Sequence, residues 1–425
     1  MYNGIDMKKQ LFLAILICLS PIWGAIAFGQ EAVTLDSLIE AAKKNNPELI
    51  SAREKWKASN EMATVAGTWD KPKLTLEWWT IPEGTLNLSE AAEKMYGISQ
   101  MIPFPGKLSA KGRVAGRDAD AMKWEYKNTE LKVLSELKSA YSRYWYITQA
   151  IRTYQQIANL MNNFSKNAES RYIAGKTSQA EVLRAQVESE KMSNMTITLE
   201  QEKQTMQAEI NSLVGKNADE KLDDPQEIPL NYLNITWDEI KTLAISNSPE
   251  IGRSKAGVLK TEASKSLANY DYLPDFDISY RKKTMNDEPN GSDVMLGFTV
   301  PLWFWAQNAG VSQAGYELNA SQADKKNIEL MTISKAKVAF LKLDASKRLI
   351  ELYKNSIIPK SEQSLKVAQS QTSAGEMNFL EFLDISKAYL QFNLEYYDLI
   401  AQYQENLAML ELITGTELSV GGTTK

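Results

Sequence analysis

The chain is written twice, and a fold that must serve two copies of one pattern belongs to a far smaller set than its 425 residues would otherwise allow. Asn46-Pro47-Glu48-Leu49 returns as Ser248-Pro249-Glu250-Ile251, and Ala174-Gly175-Lys176 returns as Ala374-Gly375-Glu376. Leu213-Val214-Gly215 returns as Ile413-Thr414-Gly415, and Ile102-Pro103 as Val300-Pro301. Four landmarks in one order, each separated from its twin by about 200 residues, make duplication the organising feature. Residues 30–215 form the first copy and 235–415 the second. The charged stretch 216–234, with Pro225 and Pro229, links them, and 416–425 form a tail.

Within the first copy, residues 107–172 contain no proline. Leu134, Leu137, Tyr141, Tyr144, Ile147, Ile151, Tyr154, Ile157, Met161 and Phe164 recur there by threes and fours, near the coiled-coil seam. A helix of that span is about 100 Å long, a rod that no compact globule needs. The second copy repeats the pattern over 307–371, with Ile328, Met331, Val338, Leu341, Leu349 and Leu352, and Pro359 predicts a bend. Shorter helical stretches lie at 35–67 and 179–213, and at 237–268 and 379–412. Two of them laid end to end match one long rod, so they can run beside it and bury its seam.

Between the first short helix and the rod, the apolar period of each copy falls to two. Leu74, Leu76 and Trp78 alternate with Lys73, Thr75 and Glu77, and Phe276, Ile278 and Tyr280 with Asp275, Asp277, Ser279 and Arg281. Returning strands at 96–102 and 295–300 complete two hairpins. One apolar and one charged face fit a membrane barrel with a wet lumen. Trp78, Trp79, Trp303, Phe304 and Trp305 would then form a girdle against outer-membrane lipid. A soluble sheet packed on helices is the competing reading. Four strands cannot close around water, but a homotrimer would supply about 12.

Composition narrows the function. There is no histidine, and the only cysteine, Cys18, lies in the apolar run that follows Lys8 and Lys9. That run and Ala25-Ile26-Ala27 read as a signal peptide over 1–29. Lipidation at Cys18 is disfavoured by the branched Ile17 before it. No compact set of acid, base and nucleophile is visible, so neither an enzyme, a cofactor nor a resident metal is expected. A net charge of −5, with both signs mixed along the chain, excludes the basic footprint of a nucleic-acid binder.

The arrangement resembles the TolC family of outer-membrane efflux proteins over nearly the whole mature chain. Ile102-Pro103-Phe104-Pro105-Gly106-Lys107 is similar to the strand-to-helix junction of its CzcC-like and CusC-like heavy-metal branch. The resemblance implies a mainly α chain with a small β part, in which a trimeric outer-membrane barrel continues into a long α-helical barrel in the periplasm. It implies an exit duct for a tripartite system, with a periplasmic adaptor (membrane fusion protein) and an inner-membrane pump of the RND or ABC type. Gly175, Lys176, Gly375 and Glu376 stand at the tips that meet the adaptor. Glu381 and Asp384, which share a helix face, match the family's acids at the constricted entrance, and Glu181 occupies the equivalent place in the first copy. The family places a basic residue shortly after the second tip glycine, where this chain has Met377. Metal-cation efflux, organic-compound efflux and type I protein secretion stay open as cargo readings, and a periplasmic coiled-coil adaptor is the rival architecture.

Overall fold

The computed structural model describes residues 33–85, 87–285 and 289–418; the stretch 1–29 expected to be a signal peptide, with Cys18, and the tail beyond Leu418 lie outside the described residues. The first copy consists of α1 (Leu35–Asn45), α2 (Pro47–Ala66), β1 (Lys73–Trp79), β2 (Glu93–Ile102), α3 (Lys107–Ile173) and α4 (Gln179–Leu213). The second consists of α5 (Trp237–Asn247), α6 (Pro249–Ala268), β3 (Phe276–Met285), β4 (Gly291–Phe298), α7 (Phe304–Leu352), α8 (Ile358–Ala374) and α9 (Phe379–Thr414).

The two stretches read as single helices at 35–67 and 237–268 are each broken in two. Proline disfavours the helical conformation in the residue before it, and Asn46 and Ser248 are accordingly extended, at ψ 122° and 125°. The resulting pieces have identical lengths in both copies, 11 and 20 residues. Asn46 turns the break into a cap: its Oδ1 accepts the Leu49 amide at 3.0 Å and its Nδ2 donates to the Leu213 carbonyl at 2.8 Å. The end of α4 is seated against this break and the end of α9 against the break at Ser248. A Cβ at Gly215 would lie 2.5 Å from the Asn45 oxygen, and one at Gly415 would lie 2.1 Å from the Asn247 oxygen. Both glycines hold positive φ, at 72° and 73°.

The long rod of the first copy is one unbroken helix of 67 residues. Its partner contains a π-helical turn over Tyr353–Ile357, just before Pro359, where a bend was expected. Two causes coincide. Proline crowds the carbonyl four residues back, here that of Asn355. The second rod also holds a spare residue: Ala140 and Ile151 pair with Ala339 and Ile350 before the turn, whereas Ala168 and Gly175 pair with Ala368 and Gly375 after it, a slip of one position. A π turn is what such an insertion leaves in a helix.

Rods and short helices pack as their lengths foretell. Near the sheet α2 lies on α3, with Trp56 and Tyr126 stacked at 5.8 Å; towards the tip α4 lies on α3. A buried cluster there gathers Ile157, Met161 and Phe164 of α3, Ala185 of α4, Leu365 of α8 and Phe382 of α9. The connecting stretch 216–234 forms a strap across the rods. Tyr141 donates to the Val33 carbonyl at 2.9 Å and accepts the Gln226 amide at 3.1 Å, and Tyr403 accepts the Leu233 amide at 2.8 Å.

All four strands form one antiparallel sheet in the order β1-β2-β3-β4, so the two hairpins join edge to edge through β2 and β3. Its outer strands, β1 and β4, each have a free edge. No helix of the described residues is long and apolar enough to cross a membrane.

Candidate functional site

Pairing across the sheet arranges the side chains in rows. Leu74, Ile98, Tyr280 and Val294 make one row, followed on the same face by Gln100, Ile278 and Leu296 and by Ile102, Phe276 and Phe298, while towards the loops this face turns polar, with Lys282 and Ser292 beside Leu76 and Tyr96, and Lys94 and Thr284 beside Trp78. This face is open: Leu74, Val294, Leu296 and Phe298 are all 70–74% exposed. The opposite face carries Thr75, Gly97, Arg281 and Asp293 in one row, and Glu77, Met95 and Lys283 in the next. Arg281 reaches Asp293 at 4.0 Å, and Lys283 pairs with Glu93. Exposed apolar surface costs roughly 25 cal/mol per Å² in water, so such a face calls for lipid, while the charged face calls for water.

The aromatic side chains fall at both ends of this sheet. Trp78 ends the apolar face of β1 at the loop side, while Trp79 turns to the other face and its Nε1 donates to Glu77 at 3.1 Å. Trp303, Phe304 and Trp305 open α7 at the helical side, more than half exposed, with the two indoles 5.3 Å apart.

Where the sheet meets the rods, the copies are clamped together. Gly106, at φ 93°, is held against the Tyr270 ring, and a Cβ there would lie 2.8 Å from its hydroxyl. Asp275 accepts from the Phe104 amide at 3.0 Å and from the Lys107 ammonium at 2.9 Å. Nothing in the residue pattern marked Asp275 beyond its place in an alternating strand.

At the far end of the rods, Gly175 and Gly375 close α3 and α8 in the left-handed conformation, at φ 70° and 81°. Lys176 donates its amide to the Arg171 carbonyl and Glu376 donates its amide to that of Gln371, at 2.8 and 2.9 Å, so both turns are Schellman closures. The Lys176 and Glu376 side chains are exposed. Ser178 and Asn378 then cap α4 and α9 by accepting the amides of Glu181 and Glu381.

The three candidate acids are placed differently. Glu381 and Asp384 are exposed, and neither side chain forms an ion pair or hydrogen bond among the described residues. Glu181 is half-buried and engaged: it accepts from the Thr177 hydroxyl and, across the copies, from the Phe379 amide at 3.2 Å. Phe379 and Phe382 pack on Phe164 at 4.9 and 5.3 Å, which holds the start of α9 down. A second bridge runs from Glu188 of α4 to Lys387 of α9 at 3.0 Å, with Lys191 also at 3.0 Å. Burial opposes the Glu188 charge, but the two lysines outweigh it and hold the carboxyl below the ordinary carboxylate range. The Glu188–Lys191 spacing was visible in sequence; the cross-copy partner was not. Among the described residues no group of three or more metal-ligating side chains is drawn together.

A two-faced sheet, open to lipid on one side and charged on the other, continued by rods about 100 Å long, defines a channel-forming protein of the bacterial outer membrane. The sequence pattern described as outer membrane efflux protein matches residues 38–216 and 242–416, and the chain belongs to that family. The two matched blocks fall on the two copies. The chain is 21% identical over 392 residues to the cobalt-zinc-cadmium resistance protein CzcC of Cupriavidus metallidurans, covering 90% of each. Its fold is similar to that of the outer membrane protein VceC of Vibrio cholerae, at TM-score 0.74 and 14% identity over 91% of this chain and 97% of that one. It is similar also to the CmeC channel of Campylobacter jejuni, at 0.75 and 14% over 92% and 87%, and to CusC, at 0.76 and 14% over 89% and 91%. The protein is an outer-membrane efflux channel rather than an enzyme.

Proposed function

We propose that three copies close into one duct, the exit of a tripartite system that takes heavy-metal cations from an inner-membrane pump of the RND kind and a periplasmic adaptor. The observation that carries this reading is the four-stranded sheet, which has an apolar face for lipid, a charged face for water and two unpaired edges. Unpaired strand edges are not tolerated in a bilayer, so each must find another copy, and three copies give about 12 strands around a lumen. The rods support the same closure: Met331, Val338, Leu341 and Leu352 of α7 are 50–52% exposed, a stripe of the kind that α3 buries within the chain.

The cargo rests on the CzcC relative, whose name concerns cobalt, zinc and cadmium. Glu381 and Asp384, exposed and unpaired beside the tip, would give the trimer about six carboxylates around the axis, a ring that favours cations. Gly175, Lys176, Gly375 and Glu376 form the rim offered to the adaptor, and Trp78, Trp303, Phe304 and Trp305 serve lipid at the two ends of the barrel, whereas Trp79, expected in the same girdle, lies on the charged face with Glu77 and is left out of it. The test is single-channel recording of the full protein in planar bilayers, with the chain number measured by mass in detergent. Glu381→Ala with Asp384→Ala is expected to raise conductance and lower cation preference about threefold or more. Unchanged selectivity removes the acids from the constriction, and a monomer removes the duct.

A further inference from the structure

The methionines of the sheet are sorted against its other apolar side chains. Every leucine, isoleucine, valine, phenylalanine and tyrosine of β1–β4 lies on the open apolar face. The strands' four methionines, Met95, Met101, Met285 and Met295, all lie on the opposite, charged face. A side chain chosen for apolarity alone would sit with the rest, towards lipid. Methionine commonly fills gaps in a core, but Met101 and Met295 are each 47% exposed and fill none. What separates them from leucine is a polarizable sulfur, a soft donor suited to soft cations.

Two of the four converge on a carboxylate. Met101 is directly opposite Asp277, and Met295, opposite Ser279, is one diagonal step from it. Opposed side chains stand about 5 Å apart at Cβ and diagonal ones about 7–8 Å, spans that the unbranched arm of methionine covers. On β4 the residue opposite Asp277 is Gly297, whose missing side chain leaves the carboxylate uncovered. Asp277 is exposed and forms no ion pair or hydrogen bond among the described residues. Lys107 on one side of it is matched by Asp275 and Arg281 on the other by Asp293, while Lys73 lies two strands away on β1. At the loop end the second pair, Met95 and Met285, finds no such partner: Glu93 is taken by Lys283, and Glu77 accepts from Trp79.

We infer that Met101, Met295 and Asp277 bind a soft monovalent cation of the Cu(I) or Ag(I) kind on the charged face, where the sheet nears the rods. Two thioethers supply the soft donors, and the carboxylate supplies the charge that neutral sulfur lacks. The carboxylates of the described residues do not gather in threes to hold a metal, so a harder divalent ion has no comparable place. Two sulfurs on an open wall hold their ion weakly enough to release it, as passage requires. Binding itself needs one chain, because all three residues lie in one sheet. Its part in passing cargo rests on the duct reading above.

The probe is silver(I) in chloride-free nitrate buffer, titrated into the full-length protein in detergent and followed by magnetic resonance of isotopically labelled methionine methyl groups. The methyl signals of Met101 and Met295, assigned from Met101→Leu and Met295→Leu, are expected to shift together and saturate near about one ion per chain. Leucine keeps the volume and removes the sulfur, so the double variant is expected to fold and assemble normally while binding silver about tenfold or more weakly. Asp277→Asn is expected to weaken binding about threefold, and zinc(II) to shift neither signal. Met62, 57% exposed on α2, supplies the control: Met62→Leu is expected to leave silver affinity unchanged. No silver binding, or an equal loss in Met62→Leu, overturns the site and leaves a trimeric, conducting duct standing. A chain that is monomeric by mass yet shows both methyl shifts overturns the duct and keeps the site.

Discussion

The Glu181 carboxylate accepts the Phe379 amide at 3.2 Å, so the first turn of α9 in the second repeat is held by an acid from the first. The tips of the two repeats are thereby tied below the rods, where Met377 of the second tip loop is buried in the same cluster as Phe164 and Phe379. Glu181→Ala is expected to speed hydrogen exchange of the Phe379 amide about tenfold, and Glu181→Gln, which keeps an acceptor oxygen, to do so far less. Equal exchange in all three proteins would show that the carboxylate is not what holds this turn.

The glycines of the chain differ in what they must avoid. A side chain at Gly415 meets the Asn247 carbonyl at 2.1 Å, whereas one at Gly175, with nearly the same φ, meets nothing within 4 Å. Gly175→Ala bears only the cost of a left-handed residue, about 1–2 kcal/mol. Gly415→Ala bears that and a backbone displacement, so its thermal unfolding in detergent is expected several degrees lower than that of Gly175→Ala.

Acid loosens the pairing of α4 with α9. The folded-state pKa of Glu188 is depressed, so its contribution is complete above the ordinary carboxylate value and is lost as pH falls through the lower, folded one. Thermal melts from pH 7 to pH 3 are expected to show the wild type losing its advantage over Glu188→Gln at the acid end. A constant difference across that range contradicts the assignment.

Glu405 has the opposite sign. Burial raises its pKa; Arg143 pulls it back in part, and Asp398 adds to the rise. Its charge therefore opposes folding at neutral pH. Glu405→Gln is expected to raise the melting temperature at pH 7, with the gain vanishing below the ordinary value of 4.5.

Much of this architecture was legible before any coordinates. Rod lengths, the hairpins and the tip glycines follow from period and punctuation, because long amphipathic helices and alternating strands leave dense local signals. The breaks at Asn46 and Ser248 were available too, since both precede proline, but the surrounding helical period hid them. Strand ends shifted: β2 begins at Glu93 and β4 at Gly291, upstream of the returning strands read at 96 and 295. Pro359 marked an irregularity in the second rod, but the π turn that forms it was not legible, because the spare residue shows only when buried positions on both rods are matched. Asp275, Glu188 with Lys387, and the engagement of Glu181 depend on partners far away in the chain, and no window of sequence contains both halves of such a contact.

Each copy of the chain brings one tip bearing Lys176 and one bearing Glu376. Around the mouth of the proposed ring these alternate, basic and acidic, like marks on a dial. A docking partner built with six equal prongs would feel six near-identical steps of shape but only three of charge. It would therefore settle in one rotational phase out of every two, and exchanging the lysine and the glutamate in all copies should turn it by a single step.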